Sequence, residues 1–189
     1  IAAESATHIR NINHPIVTLQ SFCREANEKI CTYAENHKIN SMGTTAAMVL
    51  FDAKESIVCN IGDSKVYRYA KENLVQLSED HVVFQVPGKK SPLSQNLGIP
   101  EEEMQIEPYV VSGKANDKDI FLISSDGLTD MVTEEKIKEL IKNSQFEEIT
   151  GNLVKEALEN GGRDNITVIV CQIEKEMNFF EKMFGKRKV

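Results

Sequence analysis

The sequence predicts an α+β protein in layers, with antiparallel sheets and helices segregated from them. Two observations carry the fold class. The elements run two helices, a group of strands, two helices and a strand, so strand and helix do not alternate along the chain. The early strands are separated by short turns, which suits hairpins. A third observation bears on function. Three apolar strand segments, "IVCNIGDSK", "FLISSDGLTD" and "GGRDNITVIV", each meet an aspartate at one end: Asp63, Asp126 and Asp164.

The elements follow in order. Residues 1–12 place Ile1, Ser5, Ile9 and Ile12 at helical spacing. Pro15 stands where a second helix starts, because its fixed φ and missing N–H suit the first helical position. From 16 to 37, Leu19, Phe22, Cys23, Ala26, Ile30, Tyr33 and Ala34 form one apolar stripe along a long helix. Residues 42–53, "MGTTAAMVLFDA", change to a β-branched and apolar character and read as a buried strand. Lys54 and Glu55 turn the chain into "SIVCNIGDSKVYRYA", a strand or strand pair that forms a hairpin with the first. "NLVQLSED" gives a third short strand.

Residues 82–104 contain Pro87, Gly88, Pro92, Gly98 and Pro100 and read as a loop of a length that is often functional. Residues 105–113 suit an edge strand and 119–125 a core strand. Thr133 caps a helix with Glu134 and Glu135 in its first turn and Ile137, Leu140 and Ile141 on its buried side. A last helix covers 146–159, with Ile149, Leu153, Ala157 and Leu158 inward, and Gly161-Gly162 ends it. "NITVIVCQI" is the final core strand.

The 189 residues suggest one domain, with a composition of 41% hydrophobic and 27% charged residues that is ordinary for a soluble globular protein. A net charge of −7 argues against nucleic acid, which needs a basic face. No apolar run reaches the roughly 18 residues of a membrane span. No basic stretch followed by an apolar run opens the chain, so no signal peptide is expected. The four cysteines, at 23, 31, 59 and 171, lack the spacing of a zinc site. Cys59 and Cys171 read as small core residues, and reduced thiols in the cytoplasm are the simplest account.

The three aspartates each stand beside glycine: Gly62, Gly127, and the Gly161-Gly162 pair. Glycine allows tight turns and close approach of a ligand. Carboxylates gathered from strand ends repel one another, and hard divalent cations reverse that penalty. Taken singly, each aspartate reads as a turn residue. Taken together, the turn reading and the metal reading stand level.

Four motifs, in order and spacing, resemble one family: "MGTTAAMVLFDAKESIVCNIGDSKVYRY", "SEDH", "FLISSDGLTDMV" and "GGRDNITVIV". They are similar to the bacterial type of the PPM/PP2C metal-dependent protein serine/threonine phosphatases, over residues 1–174. The resemblance implies a β-sandwich of two antiparallel sheets flanked by helix pairs, with two Mn²⁺ or Mg²⁺ ions at one end. It implies Asp126 and Asp164 as metal ligands, Asp63 as the ligand of a third, weaker ion, and Gly127 and Asn165 as site-shaping residues. It implies a phosphoprotein substrate and a cognate Ser/Thr kinase. It identifies no catalytic residue in this chain beyond those ligands.

The family opens on strands and an "ADGMGG"-like segment that supplies a bridging aspartate and a metal-binding glycine carbonyl, with a phosphate-binding arginine upstream in many members. These 189 residues contain no such segment. The expectation is a family member given without its opening strands, a fragment rather than a natural abbreviation. Alone it would have little phosphatase activity, while its parent hydrolyses phosphoserine and phosphothreonine. The rival expectation is a pseudophosphatase, the same fold used as a binding or regulatory module. The segment between "DH" and "NLG" is also short, which leaves substrate preference open. His81 reads as a loop histidine making local hydrogen bonds rather than as a general acid. Residues 175–189 read as a helical, basic tail with Met177, Phe180 and Phe184 on one side, packing on its own domain or fraying rather than docking elsewhere.

Overall fold

A computed structural model describes residues 14–52, 55–84 and 91–174. The helix expected over residues 1–12, Lys54 of the first turn, part of the short segment after His81, and the tail from residue 175 lie outside the described residues.

Helix α1, Pro15–Asn36, starts on its proline, and the His14 carbonyl accepts from Thr18 N at 3.1 Å. Leu19, Cys23 and Asn27 are buried at successive turns, with Ala26 and Ile30 beside them. Two details differ from the sequence reading. Tyr33 is 50% exposed and stacks on His37 with ring centroids 4.0 Å apart. Asn27 takes a core position because its amide is fully used. Its Nδ2 donates to Ile99 O at 2.8 Å, and its Oδ1 accepts from Gly98 N at 2.7 Å and Ile99 N at 3.2 Å.

The strands are β1, Ala46–Asp52; β2, Glu55–Ile61; β3, Lys65–Ala70; β4, Asn73–Gln76; β5, Tyr109–Lys114; β6, Ile120–Ser124; and β7, Val168–Gln172. Three further helices are α2, Asp126–Thr129; α3, Glu134–Asn143; and α4, Phe146–Glu159. One sheet has the order β1-β2-β5 and the other β4-β3-β6-β7, with every neighbour antiparallel. The expected hairpin is β1 with β2, from Ala46 opposite Ile61 to Asp52 opposite Glu55. The following segment is not a continuation of it. Gly62, Asp63 and Ser64 carry the chain out of the first sheet and into β3 of the second.

The result is four layers: helix, sheet, sheet, helices. Leu19 and Cys23 of α1 pack on Ile57, Cys59 and Ile61 of β2, with Met48 and Leu50 alongside. The Cys23 and Cys59 sulfurs lie 3.8 Å apart as free thiols. On the far side, Ile137 and Ile141 of α3 and Ile149, Leu153 and Ala157 of α4 cover Tyr67, Ile120 and Leu122. Each of the buried leucine and isoleucine side chains contributes roughly 1.5–3 kcal/mol of burial. Side chains alternate along a strand. Val58 and Asn60 therefore face the space between the sheets, where Phe51 of β1 meets Phe121 of β6 edge-on at 4.9 Å.

Helix α3 begins where expected, with the Thr133 hydroxyl accepting from Lys136 N at 3.3 Å. Helix α4 buries Ile149, Leu153 and Ala157, but Leu158 points outward at 59% exposure and Cys171 on β7 is only half buried. The edge strand starts at Tyr109 rather than 105, because its ladder with β2 begins at the Tyr109–Asn60 pair, and Ile106 before it joins the core under α1. The last strand starts at Val168 rather than 165, which leaves residues 164–167 as loop. The described part of 77–108 holds no regular helix or strand, only isolated bridges from Thr44 to Leu97 and from Val82 to Leu93. No helix among the described residues is long and apolar enough to cross a membrane.

Candidate metal centre

Strand register decides where the three aspartates go. Lys65 of β3 stands opposite Ser124 of β6, and Ser124 stands opposite Val168 of β7. Asp63 lies just before Lys65, Asp126 just after Ser124, and Asp164 shortly before Val168. Antiparallel neighbours reverse direction, so all three leave the same end of the second sheet. Adjacent strands lie about 4.8 Å apart. The sequence pattern of three strand-end carboxylates therefore corresponds to one edge of the molecule.

Asp126 and Asp164 are joined by a tight contact. A Cβ on Gly127 would stand 2.3 Å from Asn165 O and 2.9 Å from Asn165 C, so only glycine lets α2 rest on the Asn165–Ile166 peptide. Ser125 fastens the same pair. Its Oγ donates to Asn165 O at 3.1 Å and accepts from Thr167 N at 3.0 Å, while its own N donates to Thr167 O at 3.1 Å. The Asp164 carboxylate accepts from Asn165 N at 2.8 Å, which fixes its orientation relative to the loop. Sequence reasoning missed Ser125; the only signal was a second serine ahead of "DG".

Asp63 sits on the crossing between sheets. Gly62 has φ +101°, and a Cβ there would lie 2.3 Å from Thr45 Cγ2. The Thr45 and Ser64 hydroxyls share a hydrogen bond of 2.7 Å. Gly62 N donates to His81 Nδ1 at 3.1 Å, and Gly62 O accepts from His81 N at 3.0 Å. His81 thus spends its Nδ1 and its backbone N–H on Gly62, 19 residues away along the chain, rather than on neighbours in its own loop. Burial pushes its pKa below the usual histidine value, against the upward pull of Glu79 and Asp80.

The donors are all carboxylates, the chemistry that hard divalent cations prefer. Each of Asp63, Asp126 and Asp164 already has a polar or electrostatic partner. Among the described residues, no three His, Cys, Asp or Glu side chains gather closely enough to hold a metal ion. The fit is one of donor type and placement at a common edge. Away from that edge, a groove of about 850 Å³ runs between α1 and residues 96–106, and none of the three aspartates lines it.

Comparison with known proteins agrees with this layout. A sequence model of the protein phosphatase 2C family matches residues 3–161. The serine/threonine phosphatase stp of Listeria innocua is 31% identical over 170 residues, which cover 82% of this chain and 66% of that protein. The chain therefore spans a little under two thirds of that relative's length. Among solved structures, the serine/threonine phosphatase Stp1 of Staphylococcus aureus superposes with a TM-score of 0.79 at 27% identity, over 90% of this chain and 74% of that one. The catalytic domain of serine threonine protein phosphatase PstP, in complex with two manganese ions, gives a TM-score of 0.78 at 28% identity, over 89% and 75%. The layered sandwich, the four motifs and the matching family model lead to one conclusion: this chain belongs to the protein phosphatase 2C family.

Proposed function

We propose that the chain carries part of the active centre of a metal-dependent protein serine/threonine phosphatase, which hydrolyses phosphoserine and phosphothreonine in proteins. Asp126 and Asp164 would hold Mn²⁺ or Mg²⁺, and Asp63 a third, weaker ion. When bound, such ions polarise phosphoryl oxygens and make water a usable nucleophile near neutral pH. The observation that carries the proposal is the register of Lys65, Ser124 and Val168, which sends three carboxylates to one end of a sheet. The two manganese ions of the PstP catalytic domain support the choice of metal.

The chain's own residues act by positioning. Gly127 lets the Asp126 and Asp164 loops touch, Ser125 locks them, and the Asn165 N–H orients the Asp164 carboxylate. Phosphoester hydrolysis by water needs no phosphorylated side chain, and none is proposed. The phosphoprotein substrate implies a cognate Ser/Thr kinase. The four free cysteines support a cytoplasmic setting. A domain over 1–174 followed by a tail from 175 remains the proposed organisation.

Calorimetric titration with Mn²⁺ of the wild-type chain, Asp126→Ala and Asp164→Ala tests this directly. Wild type is expected to bind and both variants to lose binding. Unchanged binding in the variants would remove Asp126 and Asp164 from the site. A second reading is a regulatory binding module of the same fold. With no three metal-ligating side chains gathered among the described residues, the 189 residues alone are expected to hydrolyse a phosphothreonine peptide slowly. Metal-dependent turnover by the intact protein favours the enzyme. Metal binding without turnover favours the module.

A further inference from the structure

Asp63 lies on a crossing of three residues where neither sheet pairs with the chain. The chain on both sides of it is held by the segment 78–81, "SEDH", residue by residue. Ser78 Oγ accepts from Val66 N at 2.9 Å. The Glu79 backbone is bracketed by the buried Asn60 amide, whose Nδ2 donates to Glu79 O at 2.6 Å and whose Oδ1 accepts from Glu79 N at 3.1 Å. Asp80 pairs with Lys65 and accepts from Gln76 Nε2 at 2.8 Å. His81, only 9% exposed, takes both polar groups of Gly62, the residue next to Asp63.

The clasped positions, 60, 62, 65 and 66, flank Asp63 on both sides. His81 is the member whose partner, Gly62, is next to Asp63 in sequence. Gly62 N–H is a donor, so the Nδ1 it meets must be bare, and the ring proton sits on Nε2. A bare ring nitrogen at that place gives the buried amide its acceptor. Without it the amide is left unpaired, and the Ile61–Gly62 peptide, one link ahead of the Gly62–Asp63 peptide, is free to rotate toward water.

We propose that His81 is a positioning residue for Asp63: its Nδ1 holds the Ile61–Gly62 peptide while its backbone N–H holds the Gly62–Asp63 peptide, and by fixing Gly62 from both sides it sets the aim of the Asp63 carboxylate at the weaker metal ion. The inference rests on the reading above that Asp63 holds that ion.

The test exploits side-chain geometry. Asparagine places Oδ1 where histidine has Nδ1, whereas glutamine places Oε1 nearer to the Nε2 position. His81→Asn, His81→Gln and Asp63→Ala are made in the intact protein, with circular dichroism as the check of fold. Weak-site Mn²⁺ affinity is read from a titration followed by electron paramagnetic resonance. Asp63→Ala is expected to lose the weak site. His81→Gln is expected to weaken it by roughly tenfold or more, the usual scale for a group that orients a ligand. His81→Asn is expected to stay close to wild type, and His81→Gln combined with Asp63→Ala to be no worse than Asp63→Ala alone. If His81→Gln binds like wild type while Asp63→Ala does not, the positioning role is overturned and the metal reading stands. Equal losses in folded His81→Asn and His81→Gln overturn it too. If Asp63→Ala itself leaves binding unchanged, the reading of Asp63 falls, and the proposal with it.

Discussion

Gly127 carries a hydrogen where any other residue would carry a carbon, and the Asn165 carbonyl oxygen lies 2.3 Å from that place. Gly127→Ala must therefore push α2 and residues 164–165 apart. The expected cost is about 2 kcal/mol in urea denaturation, the scale of a core overpacked by one methyl group. Mn²⁺ affinity should fall along with it, and an alanine variant with wild-type stability would show that the two loops can separate without strain. The aspartates themselves were legible in sequence, because an apolar run that stops on a carboxylate is a local pattern. Ser125 and His81 were not, because their partners, Asn165 and Gly62, lie far away along the chain. A hydrogen bond of that kind leaves no periodic signal. Asn27 was passed over for a related reason: apolar spacing counts hydrophobicity and is blind to an amide whose partners come from a distant loop.

At the scale of elements, α1 and the loop near residue 98 depend on each other. Asn27 is the link, serving Gly98 N, Ile99 N and Ile99 O at once. Asn27→Ala leaves these backbone groups without their side-chain partner, at an expected cost of about 2–3 kcal/mol. Thermal denaturation followed by helical circular dichroism measures it, and a loss of less than half that would mean water replaces the amide. Helices α3 and α4 were readable almost to the residue, since each has a cap or glycine signal and a strong apolar side. The strand ends were less so. The start of β7 moved from 165 to Val168 because the residues before it serve the contact with Gly127 rather than the ladder. The four-residue α2 had no signal beyond its glycine.

At the scale of the whole molecule, two cores lie on the outer faces of two sheets, and a third apolar layer joins the inner faces. Leu153 sits in the core under α4 and is fully buried. Leu153→Ala should cost about 3 kcal/mol. Because Phe51 and Phe121 couple the sheets, the loss should appear as one unfolding transition. Fluorescence of Tyr109 in the first sheet and Tyr67 in the second, each studied after replacing the other tyrosines, should give the same midpoint. Two separated midpoints would mean that the halves unfold independently. The layered class was legible from element order, but the change of sheet at Gly62 was not. "NIGDSK" is short enough to read as a pause within one strand, and only tertiary pairing distinguishes the two.

That change of sheet also orders events in time. Strands β2 and β3 are neighbours in sequence and never pair with each other. Lys65 waits for Ser124 and Asn60 for Tyr109. At about 5–20 residues per second on a ribosome, roughly 3–12 s separate the emergence of Lys65 from that of its partner on β6. Through that interval the edge of β3 that will meet β6 is bare, and each nascent chain offers it to its neighbours on the same message. The residues that later aim a carboxylate are thus, during synthesis, the border between a hairpin that can already form and a sheet that cannot, and slow codons or a chaperone would matter most between them.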